Sequence, residues 1–329
     1  GGVFAAHAEN EIRELADLMQ IPVITTMMGI SVFPDDDQLF CGMIGTHGVK
    51  MANAAVNECD VLFLVGARVG DRAVKTPLAL EKTTKIIHID IDPAEIGKNI
   101  GADLPLVGDA KLVLQQMTEL AKPMKHDEWI AHIKTLGGER KYVEPAKGTV
   151  NPRVFIDRLA KKMPANVTVV ADVGQNQIWT CTEYKFRKEG RLLTSGGMGT
   201  MGYSVPAAIG AKMADNSRAT VAICGDGAFQ MSFMELATAV QFGVDIKVVV
   251  MTNNRLGMVR ELQTNGYHDR QTAVFLDGSP DFIKLAEAYG IPAMRVYDDD
   301  TMDKGIEMLA EHKGICLVEV VVDKDMPTL

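Results

Sequence analysis

No pair among the five cysteines (Cys41, Cys59, Cys181, Cys224, Cys316) has the Cys-x-x-Cys spacing of a metal or redox motif, and their wide separation suits a reducing compartment. No apolar run approaches the roughly 20 residues that a spanning helix needs, so no membrane partner is expected. Positive charge is also in short supply. The 34 Lys and Arg against 43 Asp and Glu leave a net charge of −9, whereas a phosphate backbone is gripped by clustered cations, and nucleic acid is not an expected partner. The chain opens Gly1-Gly2-Val3, without an initiator Met and without a secretory or transit pattern, and reads as a cytoplasmic piece of a longer polypeptide.

What is present is ordinary globular material: 329 residues, 47% hydrophobic and 23% charged, a length that suits two domains of about 150 residues each. Strand-like apolar runs alternate with helical patterns throughout, which is the pattern of an α/β chain with two doubly wound parallel-sheet domains. In the first half, helices are predicted near 10–19, 49–58 and 110–121 and strands near 22–25, 61–65 and 86–91. Periodicity fades after Lys122-Pro123 and through Gly137-Gly138 and Pro145, so the expected division is a domain over 1–125, a linker over 126–148 and a second domain over 149–329. In that second domain, helices are expected near 151–162, 205–213, 232–242, 282–289 and 302–312, and strands near 167–171, 219–223, 246–252 and 316–322.

The chemistry concentrates after two of these strands. The run Ala219-Thr220-Val221-Ala222-Ile223 leads into Cys224-Gly225-Asp226-Gly227-Ala228, and about 25 residues on, the next strand leads into Asn253-Asn254. With one helix between, this is a single β-α-β crossover that sets a carboxylate and a carboxamide at adjacent carboxyl ends. Magnesium favours such hard oxygen ligands and completes its octahedron with phosphate oxygens and water. The flanking glycines permit close approach of a phosphate to the backbone. A Gly-Asp-Gly standing alone is more often a tight turn with a solvated Asp; the distant Asn pair is what turns the reading toward a diphosphate site.

Gly-Asp-Gly after a buried strand with Asn-Asn after the next resembles the thiamine-diphosphate enzymes. The run Thr194-Ser195-Gly196-Gly197-Met198-Gly199-Thr200-Met201-Gly202-Tyr203 narrows this to a resemblance to the acetolactate synthase (acetohydroxyacid synthase) family. So do Asp172-Val173-Gly174-Gln175, Gly257-Met258-Val259, Gly66-Ala67-Arg68 and Asp90 through Asn99. The resemblance covers the family's middle and C-terminal domains. It implies a transferase of branched-chain amino-acid biosynthesis that decarboxylates pyruvate and ligates the two-carbon unit to a second 2-keto acid. It further implies magnesium ligands at Asp226, Asn254 and the Leu256 carbonyl, and thiamine diphosphate contacts at Val173, Gly174, Gln175, Asn176, Gly227, Ala228 and Met258. Met201 would prop the thiazolium ring, with backbone groups of Gly199 and Met201 holding the aminopyrimidine; taken by itself a Met is most often core. Met258, Val259 and Leu262 would face the substrates.

The same resemblance implies a structural FAD on the first domain, at Thr26, Met27, Met28, Gly45, His47, Gly66, Arg68, Asp90, Ile91 and Asp109, most of which fall in loops after strand ends. It implies a homodimer or tetramer and a regulatory small subunit. The glutamate with which the family deprotonates the cofactor has no match here, so the 329 residues alone are expected to bind cofactor without turning over. Three positions depart from the family pattern. Asn176 replaces a His, with an amide donor still on offer; Gly70 replaces an Asp in the flavin loop; and Leu262 replaces a Trp that shapes the second-substrate pocket. Competing readings are another thiamine-diphosphate enzyme, such as a glyoxylate carboligase or a pyruvate oxidase, and a non-catalytic cofactor-binding module.

Overall fold

The computed structural model describes residues 1–138 and 142–329, which divide into two compact units, Gly1–Arg140 and Lys141–Leu329. In the first unit, strands β1 (Val23–Thr25) and β2 (Phe40–Met43) pair in parallel. Strands β3 (Val61–Val65), β4 (Lys85–Asp90) and β5 (Leu104–Val107) form a second parallel sheet in that order. Helices Glu9–Met19, Lys50–Glu58 and Ala110–Leu120 cover them, each within a residue or two of the sequence expectation. The stretch expected as a linker over 126–148 departs from that expectation where it is described. Asp127–Leu136 is helical, with acidic residues in its first turn and Lys134 in its last, matching the helix dipole, and Ile133 buried. Residues 139–141 of that stretch lie outside the described residues.

The second unit is a six-stranded parallel sheet. It comprises β6 (Thr168–Ala171), β7 (Arg191–Thr194), β8 (Thr220–Gly225), β9 (Lys247–Thr252), β10 (Ala293–Val296) and β11 (Cys316–Val321), in the order β10-β11-β9-β8-β6-β7. The inner strands β6, β8, β9 and β11 are buried along nearly their whole length, as strands covered by helices on both faces must be. Val170, Ala222, Val248, Val250 and Leu317 of these strands meet Val205, Ile209, Leu236, Phe282 and Ala286 in one core cluster. Stacking of β6, β8 and β9 in register brings their carboxyl ends together, the usual ligand edge of an open α/β sheet.

The opening helix, Pro152–Lys162, shows why its sequence folds locally: Asn151 caps it by accepting from the Arg153 and Val154 N–H groups, and Pro152 stands at the first helical position. Arg153 then forms a buried ion pair with Glu183, Nη2 to Oε1 at 2.6 Å, and the Tyr142 hydroxyl donates to Glu183 Oε2 at 3.2 Å. Removing one member of a buried pair strands the other charge, at a cost of about 3 kcal/mol or more. Denaturant melts should therefore show Glu183→Ala destabilised by about that amount, and an unchanged midpoint would mean that the pair contributes nothing net.

Candidate functional site

Asp226 follows β8 directly and is 2% exposed. Its Oδ1 accepts the Gly227 N–H at 2.8 Å, and its Oδ2 accepts the N–H groups of Asn253 at 3.1 Å and Asn254 at 2.6 Å. The two strand tips inferred from the Gly-Asp-Gly and Asn-Asn spacing thus meet through a carboxylate and a turn. Asn254 makes the turn with φ of +52°, a left-handed conformation that Asn adopts more readily than most residues. Burial pushes the Asp226 carboxyl up to about 6, with the bonds from Asn254, Gly227 and Asn253 pulling the other way.

A divalent cation fits this arrangement. Each Asp226 oxygen retains accepting capacity, the Asn254 residue is exposed, and the Leu256 carbonyl, which accepts from the Arg260 N–H at 2.9 Å, keeps a second lone pair. Among the described residues no group of three or more His, Cys, Asp and Glu could hold a metal. The candidate set does not need one, drawing instead on one carboxylate, one carboxamide and one carbonyl, all hard oxygens.

One strand over, Asp172 repeats the device at the tip of β6. Fully buried, it accepts from Val173 N–H (2.8 Å) and Gly202 N–H (3.0 Å) on Oδ1 and from Ser204 N–H (2.8 Å) on Oδ2, tying the 195–203 loop to the sheet. Sequence reasoning gave Asp172 no role, although an Asp directly after an all-apolar strand is itself a signal. Gly174 follows with φ of +145°, and a Cβ there would lie 2.7 Å from Asn176 Oδ1, so only glycine fits. It precedes the helix Gln175–Glu183, whose first-turn N–H groups have no side-chain cap.

Two side chains behave differently from expectation. Asn176 offers no outward donor: its Nδ2 donates to the carbonyls of Asp172 at 2.8 Å and Ile223 at 3.2 Å, because those buried strand-end carbonyls have to be satisfied. Gln175 is also committed, its Nε2 donating to Met326 O at 2.9 Å and Thr328 Oγ1 at 3.1 Å and its Oε1 accepting from Asn253 Nδ2 at 3.1 Å. What these residues can offer an anion is backbone.

In the 195–203 loop, Gly199 has φ of +68° and open space where a side chain would go, and Met198 is 89% exposed. The Met201 methyl reaches back to Gly227, 3.5 Å from where a Cβ would stand, beside Leu256 and Leu276. Ala228 is buried behind it. On the helix Gly257–Gly266, Met258 and Leu262 share a face at four-residue spacing, and Val259 and Leu262 are exposed.

In the first unit every flavin candidate falls at a carboxyl end: Thr26, Met27 and Met28 after β1, Gly45 and His47 after β2, Gly66 and Arg68 after β3, Asp90 and Ile91 at β4 and Asp109 after β5. Gly45 is held by a two-way bond with the Asn53 carboxamide and could carry no Cβ, since one would lie 2.4 Å from Arg72 O. Asp109 serves as a helix cap, accepting from Leu112 N–H at 3.1 Å, and Asp90 accepts from Asp92 N–H at 3.0 Å. Ile91 is 70% exposed at the end of its strand.

Two domain families match this chain: the thiamine pyrophosphate enzyme C-terminal TPP-binding domain over residues 172–320, and the thiamine pyrophosphate enzyme central domain over residues 1–117. The chain belongs to the thiamine pyrophosphate enzymes. Its relatives include a protein of Methanocaldococcus jannaschii named a probable acetolactate synthase large subunit, 40% identical over 98% of this chain and 56% of that protein. The acetolactate synthase large subunit of Lactococcus lactis is 35% identical over 98% of this chain and 56% of its own length. The acetolactate synthase of Arthrospira platensis is 39% identical over 99% and 58%. The chain therefore spans a little over half the length of these relatives. No helix among the described residues is long and apolar enough to cross a membrane.

The position of the Asp226 titration sets a pH dependence. Because burial raises this carboxyl, its contribution to stability is fully present below its unfolded value of 3.8 and is lost as pH rises through about 6. Above that pH the ionised group is a liability that a divalent cation bound there would offset, and such binding would release a proton once the pH is below about 6. The rise in melting temperature produced by magnesium with thiamine diphosphate should be larger at pH 7.5 than at pH 5, and the difference should vanish in Asp226→Ala; equal shifts at both values in the unmodified chain would contradict this reading.

Proposed function

We propose that this chain is the cofactor-holding part of an acetolactate synthase, a carboligase that decarboxylates pyruvate and joins the two-carbon unit to a second 2-keto acid in branched-chain amino-acid synthesis. The observation that carries the reading is the buried Asp226 carboxylate bound to the backbone of Asn253 and Asn254 across neighbouring strand tips. Asp226, Asn254 and the Leu256 carbonyl would hold Mg2+. Backbone N–H groups around Gly174, Gln175 and Gly227 would take the diphosphate, with Val173, Asn176, Ala228 and Met258 lining it. Gly199 and Met201 would seat the rings. Thiamine diphosphate, when bound, supplies the electron sink for decarboxylation, and the protein's part is to bind and orient.

The first unit would carry FAD in a structural role at its carboxyl-end loops, with exposed Ile91 and Val107 offering apolar surface at the ends of β4 and β5. Two relatives are named large subunits, which supports a regulatory small-subunit partner. A homodimer or tetramer in the cytoplasm completes the proposal. Turnover would also require the acid-base glutamate that has no counterpart in these residues.

Calorimetric titration with thiamine diphosphate and magnesium tests the metal ligand. Asp226→Ala should weaken binding by more than about 100-fold, beyond what loss of a supporting contact costs. Binding that survives the substitution would end the proposal. Acceptor choice tests Leu262: in the complete enzyme, Leu262→Trp should raise the yield from 2-ketobutyrate relative to pyruvate by about 10-fold, the scale at which one pocket contact discriminates between homologues. An unchanged product ratio would remove Leu262 from the pocket.

A further inference from the structure

A positive charge stands between two of the candidate metal ligands. Arg255 separates Asn254 from Leu256, a place from which its charge opposes a second cation through Coulomb repulsion. Its side chain is nevertheless only 16% exposed and is held on three sides. Nη1 donates to Asn254 O at 2.7 Å and pairs with Asp277 Oδ1 at 2.9 Å, and the guanidinium carbon lies 4.6 Å from the centre of the Phe275 ring. Asp277 answers the charge, and the tie to Asn254 remains.

The backbone repeats that tie. Arg255 and Phe275 form an isolated antiparallel bridge, in which the Leu256 N–H donates to Val274 O at 2.9 Å and the Leu276 N–H donates to Asn254 O at 3.0 Å. Asn254 O thus accepts from two donors, which occupies both of its lone pairs, so the peptide that follows this left-handed residue cannot rotate without breaking both bonds. The same segment reaches the other ligand-bearing turn. Leu256 and Leu276 side chains lie 2.8 and 3.1 Å from where a Cβ on Gly227 would stand. Ser279 Oγ donates to Leu276 O at 2.8 Å and accepts from Gln230 Nε2 at 3.2 Å, just past the short helix Asp226–Phe229. Residues 274–279 therefore form a clip across the turn after β9 and the turn after β8. The clip uses neither the Asn254 carboxamide nor the Leu256 carbonyl, so both stay available to a cation.

We propose that Arg255 is a positioning residue: with Phe275 and Asp277 it holds the 254–256 turn rigid enough that the cation site takes magnesium in preference to the larger calcium. The proposal rests on the reading of Asp226, Asn254 and the Leu256 carbonyl as metal ligands. Magnesium demands near-ideal octahedral geometry, whereas calcium accepts more ligands in a looser arrangement, so stiffness between two ligands two residues apart favours the smaller ion. A guanidinium suits this use because its plane can lie on the Phe275 ring while one edge donates to the backbone.

Calorimetric titration of the chain with thiamine diphosphate and either Mg2+ or Ca2+ tests the proposal, together with hydrogen exchange on the ligand-free chain. Arg255→Met keeps an apolar stem and removes the guanidinium. It should lower magnesium affinity by about 10-fold, the scale on which a partner behind a metal ligand acts, and calcium affinity by less. In the ligand-free variant the amides of Leu256 and Leu276 should exchange faster, while those of Val249 and Val250 in β9 stay as they are. Phe275→Leu, which removes the ring and leaves the charge, should move both readouts in the same direction. Tighter magnesium binding in Arg255→Met would reduce the guanidinium to a repulsive charge, and equal losses for the two cations would make its role structural without selectivity. Either result overturns the proposal, as do unchanged affinities or unchanged exchange at Leu256 and Leu276. Failure of the metal-ligand reading shows separately, as magnesium binding that is absent from the unmodified chain or is as tight in Asp226→Ala, and the proposal falls with it.

Discussion

A negative charge held out of water at the end of a strand is the constraint on which the rest of the second unit's ligand edge depends. Asp226 is stabilised by three backbone N–H groups, two of them from the turn after β9, so the carboxylate fixes the spacing of two strand tips as well as its own position. Asp172 does the same for β6 and the 195–203 loop. The two differ in what remains for a ligand. Asp172 is enclosed completely and serves the scaffold, whereas Asp226 sits at a turn whose Asn254 is exposed, so the cost of desolvating it can be offset by a cation arriving from the open side.

Side chains around that edge are largely spent on the scaffold, which shifts recognition to the backbone. Gln175 joins Asn253 to the Met326–Thr328 segment, and Asn176 joins the ends of β6 and β8. Glycine is then required where the chain must bend without a Cβ, at Gly174 above all. A diphosphate bound mainly by N–H groups needs geometry more than it needs particular side chains. The Asn176 amide can therefore serve the ends of β6 and β8 alone.

Much of this was legible in the sequence, and the exceptions have physical causes. The strands β8, β9 and β11 read to within about two residues because inner parallel strands are continuous apolar runs. Strands β2, β5, β7 and β10 escaped. Each is four residues long, each contains a Gly, a Pro or an Arg, and all four lie at sheet margins where one side needs no hydrophobic cover. The helix Gln175–Glu183 escaped for the opposite reason: all nine residues are buried, so no polar face marks its period. Asp127–Leu136 was masked by the Pro and Gly residues around it. At the site, residue types and spacing located Asp226 and Asn254, but nothing in a one-dimensional pattern indicates that the amides of Gln175 and Asn176 turn inward.

The two units place their candidate residues in the same way, at the carboxyl ends of parallel strands, yet they do not anchor them equally. In the second unit β8 and β9 each have a strand on both sides, so the loops that follow are fixed by complete ladders. In the first, the loops carrying Thr26, Met27 and Met28, then Gly45 and His47, Gly66 and Arg68, and Asp109 follow β1, β2, β3 and β5, each of which has a strand partner on one side only among the described residues. A strand lacking half of its ladder bonds opens locally at lower free energy than one paired on both sides. The loops after those strands thus rest on half-paired ladders, while the Asp226 site draws its rigidity from strands paired on both sides.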